Sequence, residues 1–211
     1  MSPRPRATSD AAIFAATHRA VSRLGPVRLT LAEVAAEAGV SAATLVQRFG
    51  SKRGLLLAFA SHGSDEIPTI ADIRAAHPSP LAALRAVADC MTGMAPSPEV
   101  LANHLAFLQI DLVDPDFRAL ALRHARWMRD EIKALLDEAV NQKELARCDT
   151  SRLAIAVAGV MNGSLLQWAI DREGTVGERM QADLDTLLRP RMLPRRAKNR
   201  PRRHENTRKK M

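Results

Sequence analysis

Three dipeptides constrain the architecture of this chain more tightly than any other feature. Ser79-Pro80, Ser97-Pro98 and Asp114-Pro115 each set an N-capping side chain before a proline at the first helical position, where the missing N–H is no loss. Helices are therefore expected to start near 80, 98 and 115. The third carries Phe117, Leu120, Ala121, His124, Met128, Ile132, Leu135, Leu136 and Ala139 at three- and four-residue spacings. That pattern predicts one helix to about residue 140, roughly 37 Å long at 1.5 Å per residue. Asp149 or Thr150 opens another apolar helix through Leu153, Val157, Val160, Met161, Leu165, Trp168 and Ala169, stopped by Gly174. A last helix from about Val176 carries Met180, Leu184, Leu187 and Leu188, and Pro190 ends it.

Composition agrees with an all-α reading. The 211 residues contain no Tyr and five Phe, whereas half-buried sheets usually draw on β-branched and aromatic side chains. The length suffices for a buried core without disulfides. Cys90 and Cys148 stand alone without CxxC spacing, so neither a disulfide framework nor a zinc site is indicated, and both are read as reduced structural thiols. No run approaches 18 uninterrupted apolar residues, and MSPRPRATSD lacks the apolar core of a signal peptide. The expectation is a cytoplasmic protein without a membrane partner.

Charge is divided unevenly. Residues 1–60 carry a net +5, residues 61–188 a net −7, and residues 189–211, with eleven Lys and Arg against Glu205, a net +10. Polyanion binding is thus expected at the ends and some other task in the middle. The last segment, rich in Arg and Pro with almost nothing apolar after Met192, is expected to be disordered in isolation. It is read as an electrostatic arm for DNA, with a solvated tail or an RNA or protein partner as alternatives.

The opening third is built from shorter helices. Thr8 or Ser9 caps a stripe of Ile13, Ala16, Ala20, Val21 and Leu24 that Gly25-Pro26 closes. Thr30-Leu31-Ala32-Glu33 has the form of a capping box, and Gly39 ends the helix after two turns. Ser41 caps a third helix to about Phe49, and a fourth begins at Lys52. Two short helices joined by Ala38-Gly39-Val40-Ser41 have the layout of a helix-turn-helix. Val34, Ala35, Val40, Leu45 and Phe49 would hold the pair together, leaving Ala42, Ala43, Thr44, Gln47 and Arg48 outside. Small residues there let the backbone approach DNA closely.

The stretch from Ala12 to Phe59, above all LTLAEVAAEAGVSAATLVQRFGSKRGLLLAF, closely resembles the DNA-binding domain of the TetR family of bacterial transcriptional regulators. Thr30, Val34, Ala35, Ala38, Gly39, Val40, Ser41, Thr44, Leu45, Phe49, Ser51, Lys52 and Leu55 fill the family's pattern. Val46 departs from it where an aromatic Tyr is usual, as does Gln47-Arg48. Weaker similarity continues through DPDFRALALRH and AGVMNGSLLQWAIDREG. The resemblance implies an all-α homodimer with a DNA-binding domain at 1–60, a ligand-sensing and dimerisation domain at 61–188, and the basic tail at 189–211.

It further implies that Ser41 to Phe49 is the recognition helix, that Thr30 and Lys52 contact phosphates, and that Thr44, Gln47 and Arg48 face bases or backbone. Helix N-termini and Lys attract phosphate oxygens, and Gln and Arg can pair bidentately with A and G edges. The expected function is a sequence-specific transcriptional regulator, a repressor released by a small, mainly apolar effector. Met91, Met94, Phe107, Leu108, Trp127, Met128, Met161 and Trp168 are the candidate pocket residues, each with ordinary core packing as its alternative. Gly159, Gly163, Leu165, Leu184 and Leu187, on the last two long helices, are the candidate dimer residues.

A different class of reading is an architectural protein that binds DNA constitutively and without sequence choice through its tail. An enzyme is not expected. The six histidines are scattered without HExxH spacing, Gly159 to Gly163 lacks the preceding strand of a phosphate loop, and no cofactor or metal is implied.

Overall fold

The computed structural model describes residues 8–62, 69–93 and 95–194. Among them ten α-helices follow one another: α1 Asp10–Arg28, α2 Leu31–Ala38, α3 Ala42–Phe49, α4 Lys52–His62, α5 Ile70–Ala76, α6 Pro80–Gly93, α7 Pro98–Val113, α8 Pro115–Asn141, α9 Thr150–Asp171 and α10 Val176–Leu188. A 3-10 turn, Arg189–Arg191, closes the series. The only β pairing among the described residues is an isolated bridge between Leu145 and Met192.

The three proline starts form as expected. Ser79 Oγ accepts from the Ala82 N–H, Ser97 from that of Val100, and Asp114 from that of Asp116. Other boundaries differ from the sequence reading. Thr30 accepts from the Glu33 N–H, but the Glu33 carboxylate turns to Arg23, 3.5 Å away, so this start is capped from one side. Reciprocal capping boxes form instead at Thr69 with Asp72 and at Thr175 with Glu178. The first of these opens α5, which the sequence does not reveal because seven residues with Ile70 and Ile73 inward are too few to show a period. α9 ends at Asp171, capped by Arg172 in the left-handed conformation, and Gly174, also at positive φ (63°), turns the chain two residues later.

Two apolar cores result. The second holds the inner faces of α5 to α10, centred on Leu84, Ile132, Leu136, Val157, Met180 and Leu184. Burying each such side chain contributes about 1.5–3 kcal/mol. The first joins Ile13, Val21, Val34, Leu45 and Leu55 to Phe117 from α8, with Phe107 and Ile110 of α7 packed against it. A boundary at residue 60 therefore does not close the first core, because Phe117 completes it from α8.

α1 packs more extensively on α7 than on its neighbours within the first sixty residues. At this seam Gly25 breaks the helix with φ of 71°, and a Cβ there would stand 2.9 Å from Asn103 Oδ1. Asn103 donates to the Ser22 carbonyl at 2.8 Å, and His104 Nε2 lies 3.0 Å from Ser22 Oγ. Burial, and secondarily the His18 charge, holds His104 below the ordinary imidazole range.

α9 is the one helix among the described residues long and apolar enough to cross a bilayer by length and composition. Seven of its residues, among them Leu153, Val157, Met161 and Trp168, are buried within the protein. Cys90 is half-buried and Cys148 exposed, and both are free thiols. Residues 189–194, which the sequence reading gave to the disordered tail, lie against the loop after α8. Residues 195–211 fall outside the described residues.

Candidate nucleic-acid interface

α3 is the element that the first core presents outward. Ser41 caps it by accepting from the Thr44 N–H at 3.1 Å, and Gly50 ends it with φ of 75°. Leu45 is fully buried, and the Phe49 ring lies 5.8 Å from that of Phe14, so one side of a two-turn helix is fixed. Ala42, Ala43, Val46, Gln47 and Arg48 are exposed. α2 supports this face through Val34 and Ala35, and Gly39 at φ of 66° makes the turn between the helices.

The candidate contact residues are not equally free. Gln47 is exposed, and among the described residues its amide makes no hydrogen bond. Thr44 is half-buried and shares a 2.8 Å hydroxyl hydrogen bond with Ser41. Arg48 turns back toward the start of α1, 3.5 Å from Asp10 and donating to the Thr8 carbonyl. Lys52 Nζ donates to the Val27 carbonyl at 3.0 Å, which brings it to the connection leading into Thr30. Thr30 is exposed, its hydroxyl oxygen engaged as the α2 cap.

In the sequence, Val46 shows only as the loss of a tyrosine. With 49% of its surface exposed beside Gln47, it is an outward apolar side chain on the exposed face of α3. Its position one residue after buried Leu45 was the available signal.

Electrostatics around this face favour an anion. The head's three carboxylates are each beside an arginine: Asp10 with Arg48, Glu33 with Arg23, and Glu37 with Arg19 at 2.8 Å. Such exposed pairs contribute little to stability, but they remove the negative charge that would repel phosphate. On the opposite side, Arg53 of α4 donates to Asp114 at 2.8 Å and to Asp116 at 2.7 Å, with its guanidinium over the Phe117 ring. Hydrogen bonding to Arg53 holds Asp114 below the usual carboxylate range. One side chain thus ties α4 to the α7–α8 corner.

The candidate pocket residues do not share one surface. Met161 is buried in the second core, and Met91 and Met128 pack against it. Phe107 belongs to the first core, its ring 6.4 Å from Phe59. Leu108 and Trp127 are 48% and 45% exposed, while Trp168 is buried and donates its indole N–H to the Gly174 carbonyl. Met94 lies outside the described residues. A cleft of about 640 Å³ lined by Ala182, Asp185, Thr186, Arg189 and Pro190 contains none of the eight.

The candidate dimer residues divide as well. Leu165 and Leu184 are buried in their own protomer, and Leu187 packs partly against the second core. Gly159 and Gly163 are exposed, and a Cβ at either meets nothing within 4 Å. They share the outer side of α9 with Ile155, Leu166 and Ile170, which are 56%, 42% and 76% exposed.

The chain matches two family models. Residues 13–59 match that of bacterial regulatory proteins of the tetR family, and residues 80–192 that of the C-terminal region of BetI-type transcriptional repressors. Among solved structures it is similar to a TetR transcription regulator from Haloarcula marismortui, with TM-score 0.69 and 18% identity over 87% of this chain and 98% of that one. A transcriptional regulator from Saccharomonospora viridis, in complex with choline, is similar at TM-score 0.68 and 19% identity over 84% and 94% of the two chains. The regulator FadR from Bacillus subtilis, in complex with stearoyl-CoA, is similar at 0.65 and 14% over 85% and 98%. No curated protein matches the chain.

Proposed function

The chain belongs to the TetR family of bacterial transcriptional regulators, and on that premise we propose that it is a cytoplasmic repressor that binds a pseudo-palindromic operator as a homodimer and is released by a small, mainly apolar molecule. The observation that carries the reading is the outer face of α3, where Ala42, Ala43, Val46 and Gln47 stand exposed on a helix whose other side is buried. Repression is favoured by the repressor model that matches most of the chain beyond the head. Two-fold symmetry doubles a site of which one short helix reads only a few base pairs.

Selection of bound fragments from random DNA at physiological salt tests this reading, and enrichment of a two-fold site is the expected result. Gln47→Ala should then reduce discrimination between that site and random duplex by about 1–3 kcal/mol, the worth of a bidentate base contact. Arg48→Ala should do less, because its guanidinium is occupied by Asp10 and the Thr8 carbonyl. Failure to enrich any sequence would favour the architectural reading instead.

For the effector, Met91, Met128 and Met161 supply the adaptable apolar lining between α6, α8 and α9. Two structural neighbours hold small molecules, choline in one and stearoyl-CoA in the other. Release requires an effector that prefers the conformation with wrongly spaced recognition helices. In a chain without tyrosine, Trp127 and Trp168 report binding by their emission. We expect at least one member of a library of hydrophobic compounds to change both emission and operator affinity; no change in either would mark an unliganded regulator.

A further inference from the structure

One turn of α7 grips one residue of α1. The Asn103 side-chain amide donates to the Ser22 carbonyl at 2.8 Å, and His104 Nε2 lies 3.0 Å from Ser22 Oγ. His18 stands one turn before Ser22 on the same side of α1, and its ring centroid is 5.9 Å from that of His104. Phe59 of α4 lies 6.5 Å from His18 and 6.4 Å from Phe107, which follows His104 by one turn of α7. Two half-buried imidazoles thus meet where α1, α4 and α7 come together. Because α7 gives Phe107 and Ile110 to the first core and Leu101 and Leu105 to the second, this joint holds the head to the rest of the protein.

The charged groups of the packed elements are turned away from this pair. On α1 and α2, Arg19 meets Glu37, Arg23 meets Glu33, and Arg28 donates to the Leu24 carbonyl. On α4, Lys52 donates to the Val27 carbonyl, Arg53 holds Asp114 and Asp116, and the His62 ring lies 4.7 Å from that of Phe14. On α7, Glu99 pairs with Arg172 at the end of α9, whose Asp171 holds Arg179. Asp111 follows His104 by seven residues, about 10 Å along the helix, and burial pushes its carboxyl up. On α8, Arg118, Arg123 and Arg126 are exposed, His124 lies against Trp127, and Arg129 donates to the Ala125 carbonyl. Of all these charges only that of His18 acts on His104, and among the described residues neither ring has a carboxylate partner.

A proton on either ring puts an unpaired cation into this half-buried joint, and protons on both set two cations ring to ring. The closed joint therefore favours neutral imidazoles, whereas an opened joint lets water reach both. We infer that His18 and His104 form an acid-sensitive latch between the head and the second core, which opens on protonation and frees the head from the position in which α3 meets DNA. The inference rests on the head's DNA-binding role. Because the closed joint binds fewer protons than the open one, it is held above the ordinary imidazole pKa of about 6.5 and loosens as the pH falls below it. Two heads fixed in the proposed dimer bind one operator together, and heads that move independently lose that gain.

The test compares full-length protein with the double variant His18→Gln, His104→Gln, whose amides can still bond Ser22 but cannot take up a proton. From about pH 7.5 to about pH 5.5 at constant ionic strength, the natural chain should lose about tenfold or more in affinity for the selected operator. Protonation of histidines elsewhere adds positive charge and strengthens DNA binding, so the expected fall runs against that general effect. The double variant should hold its affinity within about twofold over the same range. Proton NMR of the Asn103 side-chain amide, without DNA, gives a second readout: its resonances should move to their solvent-exposed position at the lower pH in the natural chain and stay in the double variant. A fall in affinity that persists in the double variant, no fall in the natural chain, or an Asn103 amide unmoved by acid overturns the inference. So does an equal loss of helicity in both proteins by far-UV circular dichroism, which would mark general unfolding. If the double variant does not fold, each single Gln variant should show a smaller fall than the natural chain, and an undiminished fall in both overturns the latch. Should fragment selection enrich no operator, the sequence-specific reading fails by itself, and the Asn103 readout still decides: opening with acid supports the latch and no opening overturns it.

Discussion

Gly54→Ala should destabilise the DNA-binding head by about 3 kcal/mol, although in an ordinary helix interior the same change stabilises by about 1 kcal/mol. Gly54 lies in the first turn of α4, where its N–H donates to Ser51 Oγ at 3.1 Å. The α3–α4 corner is so tight that the Ser51 N–H bonds the Phe49 carbonyl at 2.9 Å. A Cβ on Gly54 would stand 2.0 Å from that carbonyl oxygen. The obstacle is backbone, so no rotamer change relieves it, and either α3 or α4 must move. Leu45, Leu55 and Leu56, all buried, would lose their registration with Phe14 and Val34. Urea denaturation followed by far-UV circular dichroism gives the stability, and operator binding should fall with it. An Ala variant as stable as the natural protein would mean that the corner opens freely, which would contradict the fixed presentation of α3.

An aspartate on the outer side of α9 should split the proposed dimer while leaving each protomer folded. Ile155, Gly159, Gly163, Leu166 and Ile170 recur at three- and four-residue steps, which align them as one exposed stripe. Ile155→Asp and Leu166→Asp place a charge where a partner would have to desolvate it, yet remove little from the protomer's own core. Sedimentation should report monomers with native helicity. Operator affinity should fall by about a hundredfold or more, since two linked heads gain that much over one. Leu165→Asp and Leu184→Asp serve as contrasts, because both side chains are buried in their own protomer and a charge there unfolds it instead. An unchanged dimer in both outer variants would move the interface off α9.

The sequence by itself determined the helical architecture, most helix starts, the helix-turn-helix and the family. All of these rest on interactions between residues close in the chain. Ser97 reaches Val100 and Ser41 reaches Thr44 whatever the rest of the molecule does. Amphipathic spacing shows that a helix has a buried side, and for Leu45 against Gln47 it also shows which side that is. Tertiary structure alone decided what each buried side faces. Leu165 and Ile155 sit on one apolar helix and read alike, but only packing against α10 and α8 makes the first core and the second surface. Phe117 completes the head although it lies in the other half of the chain, and Leu145 anchors the returning chain through contacts with Met192. Arg48, free by its position on α3, is occupied because α1 brings Asp10 beside it. Local hydrogen bonds and helical periodicity are encoded within a few residues, whereas the partner of an apolar or charged face depends on chain folding back from far away, and no spacing rule records that distance.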